Sequence, residues 1–551
     1  MAGNRRRKAL FSFVAGLAAG AVAVAVSLIL REIIGGLFLP EIASQTLFSV
    51  TPGEFESQAV ENFGPLAKYS AFIGSIIANI VAFGIVGIFL DKLFARLKRR
   101  GYLLEALLSS ALSYIIFIII AIILVTLIQS RSGIQVVPLS LIVLSLIPSQ
   151  LAFGFVFSSL FHGRAREKSM EVLEPSPDKS IDTTGVKYSR GAFLRVLAAS
   201  AVALPIIYLG VDRLLSKQNE IQELESTNPN LLPQTGPPPK GFEDPNLAPL
   251  LASEVTPTYL FYRIDINPIV PQVDSKSWNL TIKGLVEKPL TINYDQIKSM
   301  PSIEEYVTLE CISNKIGGDL ISTALWKGVS LSYLLDKAAI KPNVKYVVFR
   351  CADGYDVGIP IERSQMEGTI LAYDMNYAPL TPKHGFPVRA MVPGLYGMMN
   401  PKWLTEIELV DKVYEGYWQR LGWANNAEDN TGSSILIPGD APARQRFRKL
   451  DETEDTSYGG KAPIAGIAFA GDRGISKVEV STDGGTTWKT AQIKDPLSQY
   501  TWVLWTAGYV PSNKENYSIV VRATDKTGKT QTTKMSPPFP NGATGYHTIT
   551  E

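Results

Sequence analysis

Apolar residues gather at one end of this chain. The first 210 positions carry long unbroken runs, such as I-I-F-I-I-I-A-I-I-L-V from Ile115 to Val125, whereas later positions alternate as in a water-soluble domain. Five stretches, Ala9–Leu30, Ser70–Leu90, Leu103–Ile128, Pro138–Phe161 and Ala192–Gly210, reach the ~20 apolar residues that a helix needs to cross a bilayer. Buried helices of a large soluble core are the competing reading, but runs such as Ile115–Val125 are too continuous for a half-buried helix. The first stretch has no clear small-residue cleavage site and is followed by further spans, so it is read as an anchor and not as a removable signal.

Beyond Pro257 the periodicity changes. Trp278-x-Leu280-x-Ile282 and Val344–Arg350 read as strands and Tyr294–Ser299 as a helix. Trp326–Ala339 reads as a turn leading into an amphipathic helix with Leu331, Leu334 and Leu335 on one face. Strands and helices mixed without a βαβ repeat suggest an α+β domain. From Gly466 to Thr530 the pattern is all β: Val478-x-Val480, a hairpin turn at Asp483-Gly484-Gly485, then Tyr517-x-Ile519-x-Val521. That pattern fits an immunoglobulin-like sandwich. The predicted architecture is therefore an all-α membrane anchor over residues 1–215, a Pro-rich linker over 216–257, an α+β domain over 258–425 and a β sandwich over 426–551. The linker, rich in Pro, Asn, Gln and Glu, is expected to pack no core of its own.

Charge adds direction. A formal net charge of +2 gives no bulk electrostatic case for nucleic acid. Arg5–Lys8 precede the first span, Lys92, Arg96 and Lys98–Arg100 follow the second, and Arg164, Arg166, Lys168, Lys187, Arg190 and Arg195 lie between the fourth and fifth. The opposite loops carry Glu41, Glu54, Glu56 and Glu61 with few cations. The bias expects a multi-pass cell-membrane protein with its N-terminus cytoplasmic; an odd number of spans then leaves everything after Gly210 outside. Ser189–Arg195 (S-R-G-A-F-L-R) resembles a twin-arginine export signal, with Gly191 where the second arginine would stand; it reads equally as an ordinary positive flank.

Candidate chemistry centres on E-C-I-S-N-K-I-G-G-D-L-I-S-T-A-L-W, Glu310 to Trp326. Cys311 ends a strand-like run ahead of a loop turning on Gly317 and Gly318. With only one other cysteine, Cys351, one copy of the chain cannot build a four-cysteine metal site. A thiolate is a soft ligand, and a single one suggests a metal whose other ligands come from an organic cofactor. A buried structural cysteine is the plainer alternative.

The Cys-x-x-Asn segment with its Gly-Gly turn, F-Y-R-I-D at Phe261–Asp265, H-G-F-P-V-R at His384–Arg389 and P-K-W at Pro401–Trp403 stand in an order that resembles the molybdenum-cofactor domain of the sulfite oxidase family, over a little over half the chain. The resemblance implies a molybdopterin-dependent oxidoreductase, with Cys311 as protein ligand to the metal and one pterin dithiolene supplying further sulfurs. It places Arg389, Lys402, His384 and Asp353 on the pterin and its phosphate, Arg263 near the metal, and Asn314 as a brace for the Cys311 loop. The family's arginine pair after the Cys-x-x-Asn segment is replaced by Lys315 and Ile316, and its active-site tyrosine by Trp423. Lys315 and Arg420 are the cations left to make a catalytic anion site.

The C-terminal module resembles the family's dimerisation domain, which implies a homodimer. Three histidines in the chain, His162, His384 and His547, offer no membrane pair for a b-type haem, so no haem is expected. A separate electron-transfer protein or quinone-linked partner then completes the electron path. The expected reaction is oxygen-atom transfer on a small oxyanion or sulfur compound; sulfoxide reduction on the same fold and a non-enzymatic membrane receptor or adhesion protein are the alternatives.

Overall fold

A computed structural model describes residues 2–34, 36–63, 66–97, 101–132, 139–171, 190–226, 237–438, 461–511 and 518–550. The chain forms two compact units. One comprises Met1–Val50 with Leu66–Lys217, the other Thr51–Pro65 with Gln218–Glu551.

The first unit is helical: α1 (Ala2–Ile34), α2 (Leu39–Val50), then, beyond a segment that belongs to the second unit, α4 (Leu66–Arg96), α5 (Tyr102–Ser132), α6 (Leu139–Glu171) and α7 (Arg190–Ser226), with α3 (Gly53–Phe63) being that intervening segment. Five of its helices are long and apolar enough to cross a membrane: Lys8–Ile33, Leu66–Arg96, Tyr102–Ser130, Ser140–Leu160 and Leu194–Arg213. Small residues let α1 and α4 approach closely. A Cβ on Gly16 would lie 2.6 Å from the Phe83 carbonyl oxygen, and one on Gly87 would lie 2.9 Å from Gly16 Cα, the contact geometry of apolar helices that pack by van der Waals fit. Ser12 Oγ donates to the buried Asp91 carboxylate at 2.8 Å across the same pair.

In the second unit, short helices α8 (Ala248–Ala252), α9 (Tyr294–Lys298), α10 (Leu331–Ala338), α11 (Ile361–Ser364) and α12 (Tyr417–Arg420) decorate four sheets. The strands are β1 (Asn279–Gly284), β2 (Leu290–Asn293), β3 (Ile303–Glu310), β4 (Ile321–Ser330), β5 (Tyr346–Cys351), β6 (Asp356–Pro360), β7 (Ile370–Met375), β8 (Ala378–Pro379), β9 (Arg389–Met391) and β10 (Leu404–Val410), followed by β11 (Gly432–Ile437), β12 (Lys461–Phe469), β13 (Ile475–Ser481), β14 (Lys489–Thr490), β15 (Gln492–Ile493), β16 (Val503–Pro511), β17 (Ser518–Asp525) and β18 (His547–Thr550). One sheet runs β2-β1-β10-β5-β6 and another β3-β4-β7-β8, with β9 on β7. Only β1 and β10 pair in parallel among the described strands of these two sheets.

The sheets β11-β12-β16-β15 and β14-β13-β17-β18 share one core. Ile464, Val503 and Trp505 from the first meet Val478, Val480, Ile519 and Val521 from the second. β12 is buried on both faces: Ile464 and Ala468 turn to that core, while Ala465, Ile467 and Phe469 turn to a second one with Trp502, Leu504 and Ile321. This is the period-two geometry of a strand.

Two expectations change. Trp326–Ser330 is the end of strand β4, not a turn. β4 is a central strand between β3 and β7, so its pairing overrides the local turn signal and the helix starts only at Leu331. The stretch read as a linker is also structured where it is described. Helix α7 continues to Ser226, and Phe242, Leu247 and Leu250 are buried in the core with Trp502 and Leu504. Three apolar residues in a Pro-rich stretch sufficed to dock it. Residues 227–236, together with Lys98–Arg100, Pro138, Lys187, Ser189 and Tyr517, which figured in the sequence argument, lie outside the described residues, as does 439–460 within the C-terminal module.

Candidate active site

The Cys311 loop is fixed by its own backbone and by Asn314. The Cys311 N–H donates to the Leu320 carbonyl at 2.9 Å, and the Asn314 N–H to the Cys311 carbonyl at 2.8 Å. The Asn314 side chain spans the loop, its Nδ2 donating to Glu310 Oε1 at 2.8 Å and its Oδ1 accepting from the Leu320 N–H at 3.0 Å. Gly318 lies so close to this amide that a Cβ there would collide with Asn314 Oδ1 and stand 2.8 Å from the Lys315 carbonyl oxygen. The glycine is needed for that approach. Cys311 as a residue is 8% exposed and in no disulfide, and its sulfur lies 3.0 Å from Ser313 Oγ.

Cys311 lines a cavity of ≈ 910 Å³ of empty space, counted to its open mouth, together with Arg263, Asp353, His384, Arg389 and Lys402. Four separated motifs thus converge, with Asp353 beside them. Arg263 Nε pairs with Asp265 Oδ2 at 3.1 Å, and Lys402 Nζ pairs with Asp265 Oδ1. Arg389 donates from Nη1 to the His384 carbonyl at 3.2 Å and from Nη2 to the Asn400 carbonyl at 3.1 Å, and its guanidinium lies 4.8 Å over the Trp326 ring. Its Nε is buried with no hydrogen-bond partner among the described residues. Gly385, at φ +107°, separates the roots of Arg389 and Lys402; a Cβ there would press on both at 3.1 Å. Trp403 adopts φ +55° and anchors its indole on the Pro382 carbonyl at 2.8 Å. Such backbone in a bulky residue costs ~1–3 kcal/mol and persists only where the surroundings enforce it.

Burial dominates the electrostatics. It pushes Lys402 down to about 8, against the opposing pull of Asp265, and Arg389 down to about 10. Burial, with Lys402 and Arg389 next, drives His384 down to about 3. The imidazole is therefore neutral at pH 7; with its Nε2 2.9 Å from the Thr258 carbonyl, Nε2 carries the proton. Burial raises Asp353 to about 7, the nearby Asp265 adding to it. The cavity sets three cations against the carboxyl groups of Asp265, Asp353 and Glu56, and the unsatisfied guanidinium N–H of Arg389 calls for an anion on its side. A soft sulfur on the same wall calls for a soft metal. These residues fit a metal-bearing pterin that ends in a phosphate. Among the described residues no group of three or more His, Cys, Asp or Glu could hold a metal ion without such help.

The other predicted site residues lie elsewhere. Asn314 and Lys315 line a neighbouring pocket with Tyr396, Asn430 and Phe469. Arg420 is held by Asp356, Nη1 to Oδ2 at 3.2 Å and Nη2 to Oδ1 at 2.5 Å. Lys315 and Arg420 are thus not brought to the Cys311 cavity. Cys351 is buried, and burial holds its thiol well above its ordinary value. Sequence reasoning missed Asp265, although its place two residues after Arg263 put both on one side of an extended segment. It also missed Tyr262, half-buried on the cavity wall, and Glu56 and Ser57. Nothing in the sequence pointed to the last two.

The chain matches the oxidoreductase molybdopterin binding domain over residues 267–418 and the Mo-co oxidoreductase dimerisation domain over residues 442–537. It is 28% identical over 324 residues to the mitochondrial sulfite oxidase of Rattus norvegicus, covering 52% of this chain and 59% of that one. Against the sulfite oxidase of Arabidopsis thaliana the figures are 28% over 337 residues, 52% of this chain and 85% of the relative. Against the uncharacterized oxidoreductase YuiH of Bacillus subtilis they are 32% over 150 residues, 27% and 74%. The sulfane dehydrogenase SoxCD from Paracoccus pantotrophus aligns at a TM-score of 0.47 and 24% identity over 54% of this chain and 82% of that one. Fold and site together define a molybdopterin-dependent oxidoreductase. The chain belongs to the sulfite oxidase family. It spans 59% of the rat relative's length. The receptor or adhesion alternative has no support in these relatives.

Proposed function

We propose that this protein is a membrane-anchored molybdenum-cofactor oxidoreductase that transfers an oxygen atom to or from a small sulfur compound or oxyanion. One observation carries the reading: the Cys311 sulfur shares a cavity wall with Arg263, Asp353, His384, Arg389 and Lys402. When bound, the molybdenum pterin supplies the two-electron oxygen-atom chemistry. The chain's residues do the rest. Cys311 is the metal's protein ligand, held in aim by Asn314. Arg389 and Lys402 neutralise the phosphate, with the guanidinium Nε as a ready donor. His384, neutral, fixes its face of the cavity through Thr258, and Asp265 bridges Arg263 and Lys402 and orients both. Asn400 and Trp403 hold the cations from behind.

The five apolar helices support anchoring in a cell membrane, and the charge bias supports a cytoplasmic N-terminus with the second unit outside. The match to the dimerisation domain supports a homodimer built through the two C-terminal sheets, which we read as an immunoglobulin-like sandwich. Electrons would pass to or from a separate carrier protein or a quinone-linked partner.

Metal analysis of the purified full chain tests the reading. Near-stoichiometric molybdenum is expected in the wild type, with loss of sulfur-to-metal absorption and of turnover in Cys311→Ser. A wild-type protein without molybdenum, or a serine variant with unchanged absorption, would refute it.

A further inference from the structure

The last strand of the chain reaches the loop that carries the thiol. Strand β18 pairs antiparallel with β17, which sets His547 opposite Val521. One side of the imidazole is pinned: its Nδ1 accepts the Ile435 N–H of β11 at 2.9 Å. The opposite edge of the ring lies on Gly317. A Cβ at Gly317 would stand 2.5 Å from His547 Nε2 and 2.9 Å from both Cδ2 and Cε1. The ring is therefore seated on bare backbone, where a larger residue would push it away. Gly317 also holds φ +71°, which favours glycine.

The loop lacks any other tie at this point. Its hydrogen bonds join Cys311, Asn314, Lys315, Gly318 and Leu320 to one another, and Asn314 to Glu310. They give the loop its shape. Among the described residues none of them links the tip, Lys315 to Gly317, to anything outside the loop. Lys315 is exposed, yet Gly317 is buried. Beside the ring contact the tip borders open space. Lys315, Ile316 and Gly317 face Ser433, Ser434 and Phe469 of β11 and β12 across a pocket of ≈ 490 Å³ of empty space, counted to its open mouth. The imidazole edge thus carries the C-terminal module onto the tip. From there the constraint runs inward. Gly318 packs on Asn314 Oδ1 and donates its N–H to the Lys315 carbonyl, and the Asn314 N–H holds the Cys311 carbonyl. Close-packed contacts of this kind transmit small displacements.

We propose that His547 is a positioning residue for Cys311: its ring, seated on Gly317, braces the loop from the C-terminal module and holds the thiol in its aim at the cavity. The brace itself stands on geometry; the role of Cys311 as metal ligand rests on the cofactor reading above.

Hydrogen exchange of the detergent-solubilised full chain, read by peptide mass spectrometry, tests the brace whether or not metal is bound. His547→Asn keeps an acceptor for Ile435 and removes the ring edge from Gly317, whereas His547→Ala removes both. Amides of residues 311–320 should exchange about tenfold faster in both variants. Those of β11 should speed up in His547→Ala alone, and those of β5 in neither. Wild-type exchange at 311–320 in His547→Asn, or an equal rise throughout the second unit, overturns the proposal. In the molybdenum-loaded chain His547→Asn should also shift the sulfur-to-metal absorption band, and an unshifted band overturns the positioning role. A wild-type chain without molybdenum would refute the cofactor assignment instead, and the exchange rates then decide the brace by themselves.

Discussion

At the scale of single residues, burial sets most of what the site can do. Arg389 and Lys402 are cations that water scarcely reaches, and the neighbouring imidazole is neutral because of it. The same physics acts at His547 in the C-terminal module. Its Nδ1 accepts the Ile435 N–H at 2.9 Å, and burial lowers it from 6.5 to about 4. A folded value below the unfolded one means that the unfolded chain binds more protons between these limits. The contribution is present above pH 6.5 and is lost as the pH falls toward 4, by at most about 3 kcal/mol. Thermal melts of the second unit's tryptophan fluorescence should show this loss. His547→Asn, which keeps an acceptor and cannot titrate, should flatten it.

At the scale of elements, the Cys311 loop is a ten-residue connection between β3 and β4 whose shape depends on one amide. Asn314→Ala removes both side-chain bonds and leaves the Leu320 N–H without its acceptor, a cost of ~1–3 kcal/mol. The expected outcome is a chain that still folds but retains severalfold less molybdenum after gel filtration, measured as metal per protein. Equal retention would show that the backbone bonds alone hold the loop. The loop was legible in the sequence because a Gly-Gly turn after an apolar run marks it. The strand identity of Trp326–Ser330 was not, because the partners that impose it, β3 and β7, lie on either side in space rather than next to it in the chain.

At the scale of the whole molecule, orientation is the property most open to test. In sealed right-side-out vesicles, external protease should remove the second unit and leave the apolar helices protected; protection of both would reverse the predicted orientation. Composition and periodicity alone determined that five helices are apolar throughout, that the remainder mixes strands and helices before ending in β structure, and that one thiol precedes a tight turn. These features are local, and local pattern records them. Only the tertiary structure decided that Asp265 ties two cations from motifs far apart in the chain, that Lys315 and Arg420 stay away from the Cys311 cavity, and that Glu56 closes its wall. Such facts depend on which side chains share a low-dielectric space, and chain separation carries no information about that.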